Sequence, residues 1–218
     1  MIKAVLFDLD GTIINSEEGI TKCVQYALSS FGIEEPDRKK LLCFIGPPLD
    51  PVFREKYGFD ADKAWQAVLK YRERFDKTGI FECELYEGVA DTIRKLKEAG
   101  CVIALASSKP ETACRRILEH FSLTPYFDEI VGSTLDGSIS TKQQVLEELG
   151  RRMEHMQITK DQMCLIGDTE YDVIGADQFG IRCIGVSYGF GKRELLERAR
   201  AYCVCDNMAE VVDALQQM

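Results

Sequence analysis

Met1-Ile2-Lys3-Ala4-Val5-Leu6-Phe7-Asp8-Leu9-Asp10-Gly11-Thr12 opens the chain and decides how the rest of it is read. An apolar run, Ala4 to Phe7, ends in two carboxylates two residues apart, followed at once by a glycine and a hydroxyl. A run without polar interruption predicts a strand buried on both faces, the usual state in a parallel sheet. Such sheets place their chemistry just beyond the carboxyl ends of their strands. Alternation along an extended chain aims Asp8 and Asp10 the same way, so two negative charges converge. That is unfavourable without a cation or a shared proton. A plain Asp-Gly turn is the competing reading. The downstream sequence favours chemistry.

Further strand signals fall at 102–106, 129–131, 163–166, 183–186 and, more weakly, 202–205. Helical patterns separate them at 88–99, 111–120, 142–153, 172–179 and 193–199. Regular alternation of this kind predicts an α/β fold, a doubly wound parallel sheet with helices on both faces. The stretch from about 15 to 83 breaks the alternation, with helical periodicity and no convincing strand. Ser16 reads as an N-cap for a helix carrying Ile20, Cys23, Val24, Ala27, Leu28 and Phe31, which Gly32 stops. Asp60 starts another, with Ala61, Ala64, Trp65, Val68 and Phe75 on its apolar side. Between them, Phe44-Ile45-Gly46-Pro47-Pro48-Leu49 reads as an ordered, non-helical turn. The expected organisation is a core of 1–15 and 84–218 with a helical domain, 16–83, inserted after the first strand.

Three other strand ends carry polar groups. The second strand runs into Ser107-Ser108-Lys109-Pro110, whose hydroxyls and backbone N–H groups could hold phosphate oxygens ahead of a helix. A simple helix cap is the bland alternative for the serines. Lys142 opens a helix after a polar loop and reads either as a solvated lysine or as a counter-charge to the acidic groups. The fourth strand ends in Gly167-Asp168-Thr169-Glu170-Tyr171-Asp172, where Asp168 and Asp172, four apart, face one way on a helical turn. Carboxylates gathered with few other ligands suit Mg²⁺ better than zinc.

Composition removes other classes. Hydrophobic residues at 45% and charged residues at 29% describe an ordinary globular chain, large enough for one domain with an insert. A net charge of −9 argues against a nucleic-acid surface, which needs a basic stripe. The longest apolar stretch, residues 99–106, is too short to span a bilayer, and no leader pattern precedes the first strand, so no membrane partner and a cytoplasmic location are expected. The nine cysteines form no Cys-x-x-Cys pair and none precedes an arginine at the spacing of thiol phosphatases, so reduced thiols are expected. His120 and His155 lie on charged helical segments and read as solvated.

In their order along the chain these motifs resemble the haloacid dehalogenase superfamily of phosphohydrolases, over essentially its whole length. Asp8-Leu9-Asp10-Gly11-Thr12 is similar to that superfamily's first motif, Ser107 to its second, Lys142 to its third, and Gly167-Asp168 with Asp172 to its fourth. Lys142 lacks the proline that often follows it in relatives. The helical insert resembles the small cap of these enzymes. The Phe44–Leu49 turn segment, Ser107-Ser108-Lys109-Pro110 and Gly185-Val186-Ser187-Tyr188-Gly189-Phe190-Gly191 resemble the phosphoglycolate-phosphatase-like branch.

The resemblance implies a Mg²⁺-dependent phosphatase of a small phosphorylated metabolite, with Asp8 as nucleophile and Asp10 as general acid and base. Asp8, the Asp10 backbone carbonyl and Asp168 would hold the metal, and Asp172 a metal-bound water. Ser107 and Lys142 would fix the transferring group. Candidates for contact with substrate are Thr12, Ser108, Gly46, Arg72 and Arg74. Phosphoglycolate is one substrate reading, a nucleoside monophosphate another, and a phosphosugar mutase of the β-phosphoglucomutase type a third. Thr12 speaks for hydrolysis, because the mutases carry a small apolar residue there. A receiver-type signalling domain is disfavoured by the insert, and a monomer or small homo-oligomer is expected.

Overall fold

A computed structural model describes all residues, 1–218. In chain order the regular elements are β1 (Ala4–Phe7), β2 (Ile14–Asn15), α1 (Glu17–Ser29), α2 (Leu49–Tyr57), α3 (Ala61–Phe75), β3 (Glu84–Leu85), α4 (Val89–Glu98) and β4 (Val102–Pro110). They continue as α5 (Glu111–His120), β5 (Glu129–Ser133), α6 (Lys142–Met153), β6 (Met163–Gly167), α7 (Glu170–Phe179), β7 (Arg182–Val186), α8 (Arg193–Arg198), β8 (Cys203–Cys205) and α9 (Met208–Gln216). The chain divides into two compact units, Met1–Ile14 with Leu85–Met218, and Asn15–Glu84. The short strands β2 and β3, where the chain passes from one unit to the other, pair as a two-stranded sheet.

The first unit is a six-stranded sheet ordered β5-β4-β1-β6-β7-β8, with every recorded pairing parallel. All four residues of β1 are buried, as its unbroken apolar run requires. Alternate residues feed opposite faces. Ala4, Leu6, Ala104, Val131 and Leu165 pack with Val145, Leu146 and Leu149 of α6 and Val173 and Ala176 of α7. Val5, Phe7, Ile103 and Leu105 are equally buried on the other parity. β1 lies between β4 and β6, so the strand order reverses there and a crevice opens at the carboxyl ends of the strands.

The second unit is helical. Phe31, Phe44, Phe53, Tyr57 and Phe59 form a chain of ring contacts with centroids 4.7–6.3 Å apart. Its details correct three expectations. Residues 45–48 form the expected non-helical turn, but a 3₁₀ turn, Arg38–Phe44, precedes it and a full helix, α2, starts at Leu49. Pro48 caps α2 and Pro51 lies in its first turn, where no intrahelical N–H is owed, so proline starts this helix instead of preventing it. Ser16 precedes α1 but makes no capping bond; the Glu17 N–H donates to Asn15 Oδ1 instead, at 3.1 Å. Trp65, expected on the apolar side of α3, is half exposed, and Ala67 and Tyr71 are buried there with Ala64, Val68 and Phe75.

No helix is long and apolar enough to cross a membrane. No cysteine forms a disulfide.

Candidate active site

Four strand ends of the α/β unit deliver polar side chains to one place. Asp8 follows β1 directly, and its N–H donates to Ile166 O of β6 at 2.9 Å, fixing the backbone where the side chain emerges. Gly11, two residues on from Leu9, takes a positive φ of 83°. A Cβ there would also fall 2.1 Å from Asp168 Oδ2, so any other residue would strike the carboxylate brought in from β6.

Lys142 sits at the first position of α6, which Thr141 caps: the Gln144 N–H donates to Thr141 Oγ1 at 3.3 Å and Gln144 Oε1 accepts from Thr141 N at 3.1 Å. Its ammonium donates to Asp8 Oδ1 at 2.7 Å and to Ala106 O at 2.8 Å, and lies 2.7 Å from Asp172 Oδ1. Gly175 of α7 lets the helix approach this stem, since a Cβ there would lie 2.6 Å from Lys142 Cγ. Burial alone would depress Lys142, but Asp172 and then Asp8 outweigh it and hold the ammonium above its ordinary range.

Asp168 is fully buried, and its Oδ2 accepts from Phe190 N at 2.8 Å and Gly191 N at 3.3 Å. The Gly189-Phe190-Gly191 turn is thus an anchor for this carboxylate. Asp172 is three residues into the turn that begins at Thr169, and its Oδ2 accepts from Thr169 N at 3.0 Å and Thr169 Oγ1 at 2.8 Å. Asp8, Asp168 and Asp172 each offer an oxygen within 4.8 Å of the others.

The electrostatics of this cluster ask for a cation. Burial first, and then repulsion from Asp172 and Asp8, raises the Asp168 carboxyl well above the ordinary range. Burial also raises Asp8, to about 6, with Lys142 pulling the other way. Asp168 Oδ1 is buried with no hydrogen-bond partner. A buried carboxylate oxygen left without a donor, beside two more carboxylates, is suited to a hard divalent ion with oxygen ligands.

Ser107 is buried at the end of β4, where its hydroxyl accepts from Lys109 N at 3.3 Å, and Ser108 beside it is partly exposed. Thr12, expected at the substrate, is fully buried, with its hydroxyl unpartnered and its carbonyl accepting from Tyr188 OH at 2.9 Å.

The remaining candidates lie in the helical unit. Gly46 is exposed in its turn with φ of 100°. Arg72 stacks on Trp65, 5.5 Å from the ring centroid. Arg74, expected to await an anionic substrate group, is already engaged: it bonds Glu82 through both terminal nitrogens, at 2.6 and 3.0 Å, and Cys23 Sγ at 3.3 Å. The helical periodicity placed Arg74 on α3 but could not show that Glu82, beyond the helix, folds back onto it. Arg74→Ala should therefore cost the fold about 1 kcal/mol, because Glu82 loses its two-nitrogen partner and keeps only Lys22, at 3.2 Å. A urea melt showing no loss would mean that the pair is no more than a surface contact.

Sequence reasoning missed Lys109. It was visible as the third residue of Ser107-Ser108-Lys109-Pro110 but read only as part of a turn, and its ammonium binds both oxygens of Asp10 at 2.7 and 2.9 Å.

The family model for haloacid dehalogenase-like hydrolase matches residues 5–186. A 5'-nucleotidase of Pseudomonas aeruginosa is 39% identical over 212 residues, 97% of this chain and 95% of that protein. The tyrosine-protein kinase PtkA of Mycobacterium tuberculosis is 30% identical, over 98% of this chain and 71% of its own length. The crystal structure of a predicted phosphatase from Clostridium acetobutylicum superposes with a TM-score of 0.92 at 43% identity and covers 100% of both chains. On the family model and the 39% identical relative, the chain belongs to the haloacid dehalogenase-like hydrolases.

Proposed function

We propose that this enzyme is a divalent-metal-dependent phosphomonoesterase that releases inorganic phosphate from a small phosphorylated metabolite through a phosphorylated Asp8. The observation that carries the reading is the Asp8 carboxylate, bonded to the buried Lys142 within a cluster that also gathers Asp168 and Asp172.

In the first half-reaction an Asp8 oxygen bonds to phosphorus while the ester P–O bond breaks, and the Asp10 proton goes to the departing oxygen. In the second, a water oxygen bonds to phosphorus, the Asp8–phosphorus bond breaks, and Asp10 takes the water proton. The carboxylate of Asp8 is then restored. Lys142 and the Ser107 hydroxyl offset charge on the transferring group. Asp8, the Asp10 carbonyl, Asp168 and Asp172 would hold Mg²⁺, which when bound offsets the repulsion between carboxylate and phosphate.

Substrate choice we assign to the helical unit, and chemistry to the α/β unit. Among substrates, a nucleoside 5'-monophosphate is favoured over phosphoglycolate. The relative named a 5'-nucleotidase aligns over 97% of the chain, and engagement of Arg74 by Glu82 removes one anchor for a second anionic group. Assay of the full chain with Mg²⁺ against nucleoside 5'-monophosphates, phosphoglycolate and hexose phosphates tests this. Phosphate release that survives chelation of divalent metal would refute the reading, and conversion of a sugar phosphate without phosphate release would point to a mutase.

Metal binding should be visible without turnover. At about 100 times its dissociation constant Mg²⁺ should stabilise the fold by about 2.7 kcal/mol, which is roughly 5–10 °C in Tm for a chain of this size. Asp168→Asn should abolish that shift, and an unchanged shift in the variant would remove Asp168 from the ligand set.

A further inference from the structure

The turn that follows β7, residues 187–191, touches both loops that carry the expected metal ligands. At its far end Phe190 N and Gly191 N donate to Asp168 Oδ2 at 2.8 and 3.3 Å. At its near end the Tyr188 hydroxyl donates to Thr12 O at 2.9 Å, across 176 residues of chain. Gly189 between them is pressed against both loops, since a Cβ on it would stand 2.3 Å from Gly11 O and 2.5 Å from Asp168 Oδ2. The loop that receives Tyr188 is closed on itself. Ile13 N and Ile14 N donate to Leu9 O at 2.9 and 3.0 Å, and Gly11 N donates to Ile14 O at 2.8 Å. A bond that holds Thr12 O therefore also fixes where the Asp10 carbonyl, two residues back, stands. The turn is held from outside as well. Ser187 N donates to Cys205 O at 2.9 Å, and the Tyr188 ring lies 4.7 Å from that of Tyr86, whose backbone N–H donates to Ile13 O at 3.1 Å.

We infer that Tyr188 is a positioning residue that fixes the spacing between the Asp10 carbonyl and Asp168, and thereby selects Mg²⁺ over Ca²⁺. The inference rests on the divalent-metal reading above. Mg²⁺ demands near-ideal octahedral geometry at about 2.0–2.1 Å, whereas Ca²⁺ accepts oxygens at about 2.3–2.6 Å in flexible arrangements. Ligands held at one spacing therefore favour the smaller ion, and ligands free to move apart give up that preference. The two anchors of Asp168 are backbone N–H groups, which a change of side chain at Tyr188 leaves in place. The tether to Thr12 is a single phenol hydroxyl. Without it a fully buried residue loses the donor to its carbonyl, and the loop that carries Asp10 is free to shift away from Asp168.

The test is isothermal titration calorimetry of the full chain with Mg²⁺ and, separately, with Ca²⁺, in the absence of substrate. The wild type should bind Mg²⁺ more tightly than Ca²⁺. Tyr188→Phe keeps the ring against Tyr86, and should weaken Mg²⁺ binding about 10-fold or more while weakening Ca²⁺ binding by about threefold or less. Ser187→Ala trims the turn but leaves the Tyr188 and Asp168 bonds, so it should leave the ratio of the two constants unchanged. Gly189→Ala wedges the same two loops apart and should lower the ratio as Tyr188→Phe does. It carries the test if circular dichroism shows that the phenylalanine variant does not fold. Equal losses for the two ions, an unchanged Mg²⁺ constant in Tyr188→Phe, or the same change of ratio in Ser187→Ala would each overturn the inference. So would a wild type that binds Ca²⁺ as tightly as Mg²⁺. A wild type that binds neither ion would sink the divalent-metal reading, and this inference with it; one that prefers Mg²⁺ while Tyr188→Phe keeps that preference sinks the inference alone.

Discussion

Asp8→Asn should abolish turnover, with a loss on the order of 10⁴-fold or more, while leaving the fold intact. An amide has the shape of the carboxylate but cannot open an attack on phosphorus. Asp8 and Asp10 differ here in kind. Asp10→Asn removes a proton carrier and should damage alkyl esters more than aryl esters, whose leaving group needs little protonation. Asp8→Asn should lose both substrates alike, and near-normal rates in that variant would end the covalent mechanism.

The same substitution should make the metal-free protein more stable. Burial raises the Asp8 carboxyl from an ordinary 3.8 to about 6, so the fold prefers it uncharged. The sign follows from linkage. Its contribution to stability is fully present below 3.8 and is lost as pH rises through about 6. At pH 7 the wild type carries that penalty and the asparagine variant does not, a difference of about 1–3 kcal/mol. Urea melts in chelator at pH 5 and pH 7 measure it. A variant less stable than the wild type at pH 7 would show that the lost bond to Lys142 outweighs the relief of repulsion.

What was legible in the sequence follows from which interactions are local. β1 could be read because burial on both faces demands an unbroken apolar run, and Ala4–Phe7 is one. α5 and α6 begin and end where caps and periodicity put them, at Glu111–His120 and Lys142–Met153. Asp8, Asp10 and Asp168 were nameable because each follows a strand end, and Asp172 because it lies in the first helical turn beyond β6; a parallel sheet brings strand ends together. Side-chain partners separated by long stretches of chain were not nameable. Lys109 reaches Asp10 across 99 residues, and only the pairing of β4 beside β1 makes them neighbours. α2 was missed for the opposite reason, because Pro47 and Pro48 read as breakers although Pro48 stands at the N-cap of a helix.

Lys142→Met should have the second-largest effect, and it should strike stability and turnover together. The methylene stem can be replaced by methionine, so packing against Gly175 survives, but the ammonium that meets Asp8, Asp172 and Ala106 O does not. Removing one partner of a buried ionic cluster typically costs about 3–5 kcal/mol, because the remaining charges have no compensation. The side chain is 6% exposed, so water cannot take its place without rearrangement. Turnover should fall by about 10³-fold, as the transferring group loses a preorganised positive charge. The two losses can be separated. Lys142→Met with Asp172→Asn removes the lysine and one of the carboxylates it balanced, so it should recover a large share of the stability and none of the rate. Urea melts in chelator and assays in Mg²⁺ on the single and double variants close the cycle. If the double variant is no more stable than Lys142→Met alone, repulsion between Asp8 and Asp172 is not what Lys142 relieves. If it regains turnover, the lysine serves the fold and not the phosphate.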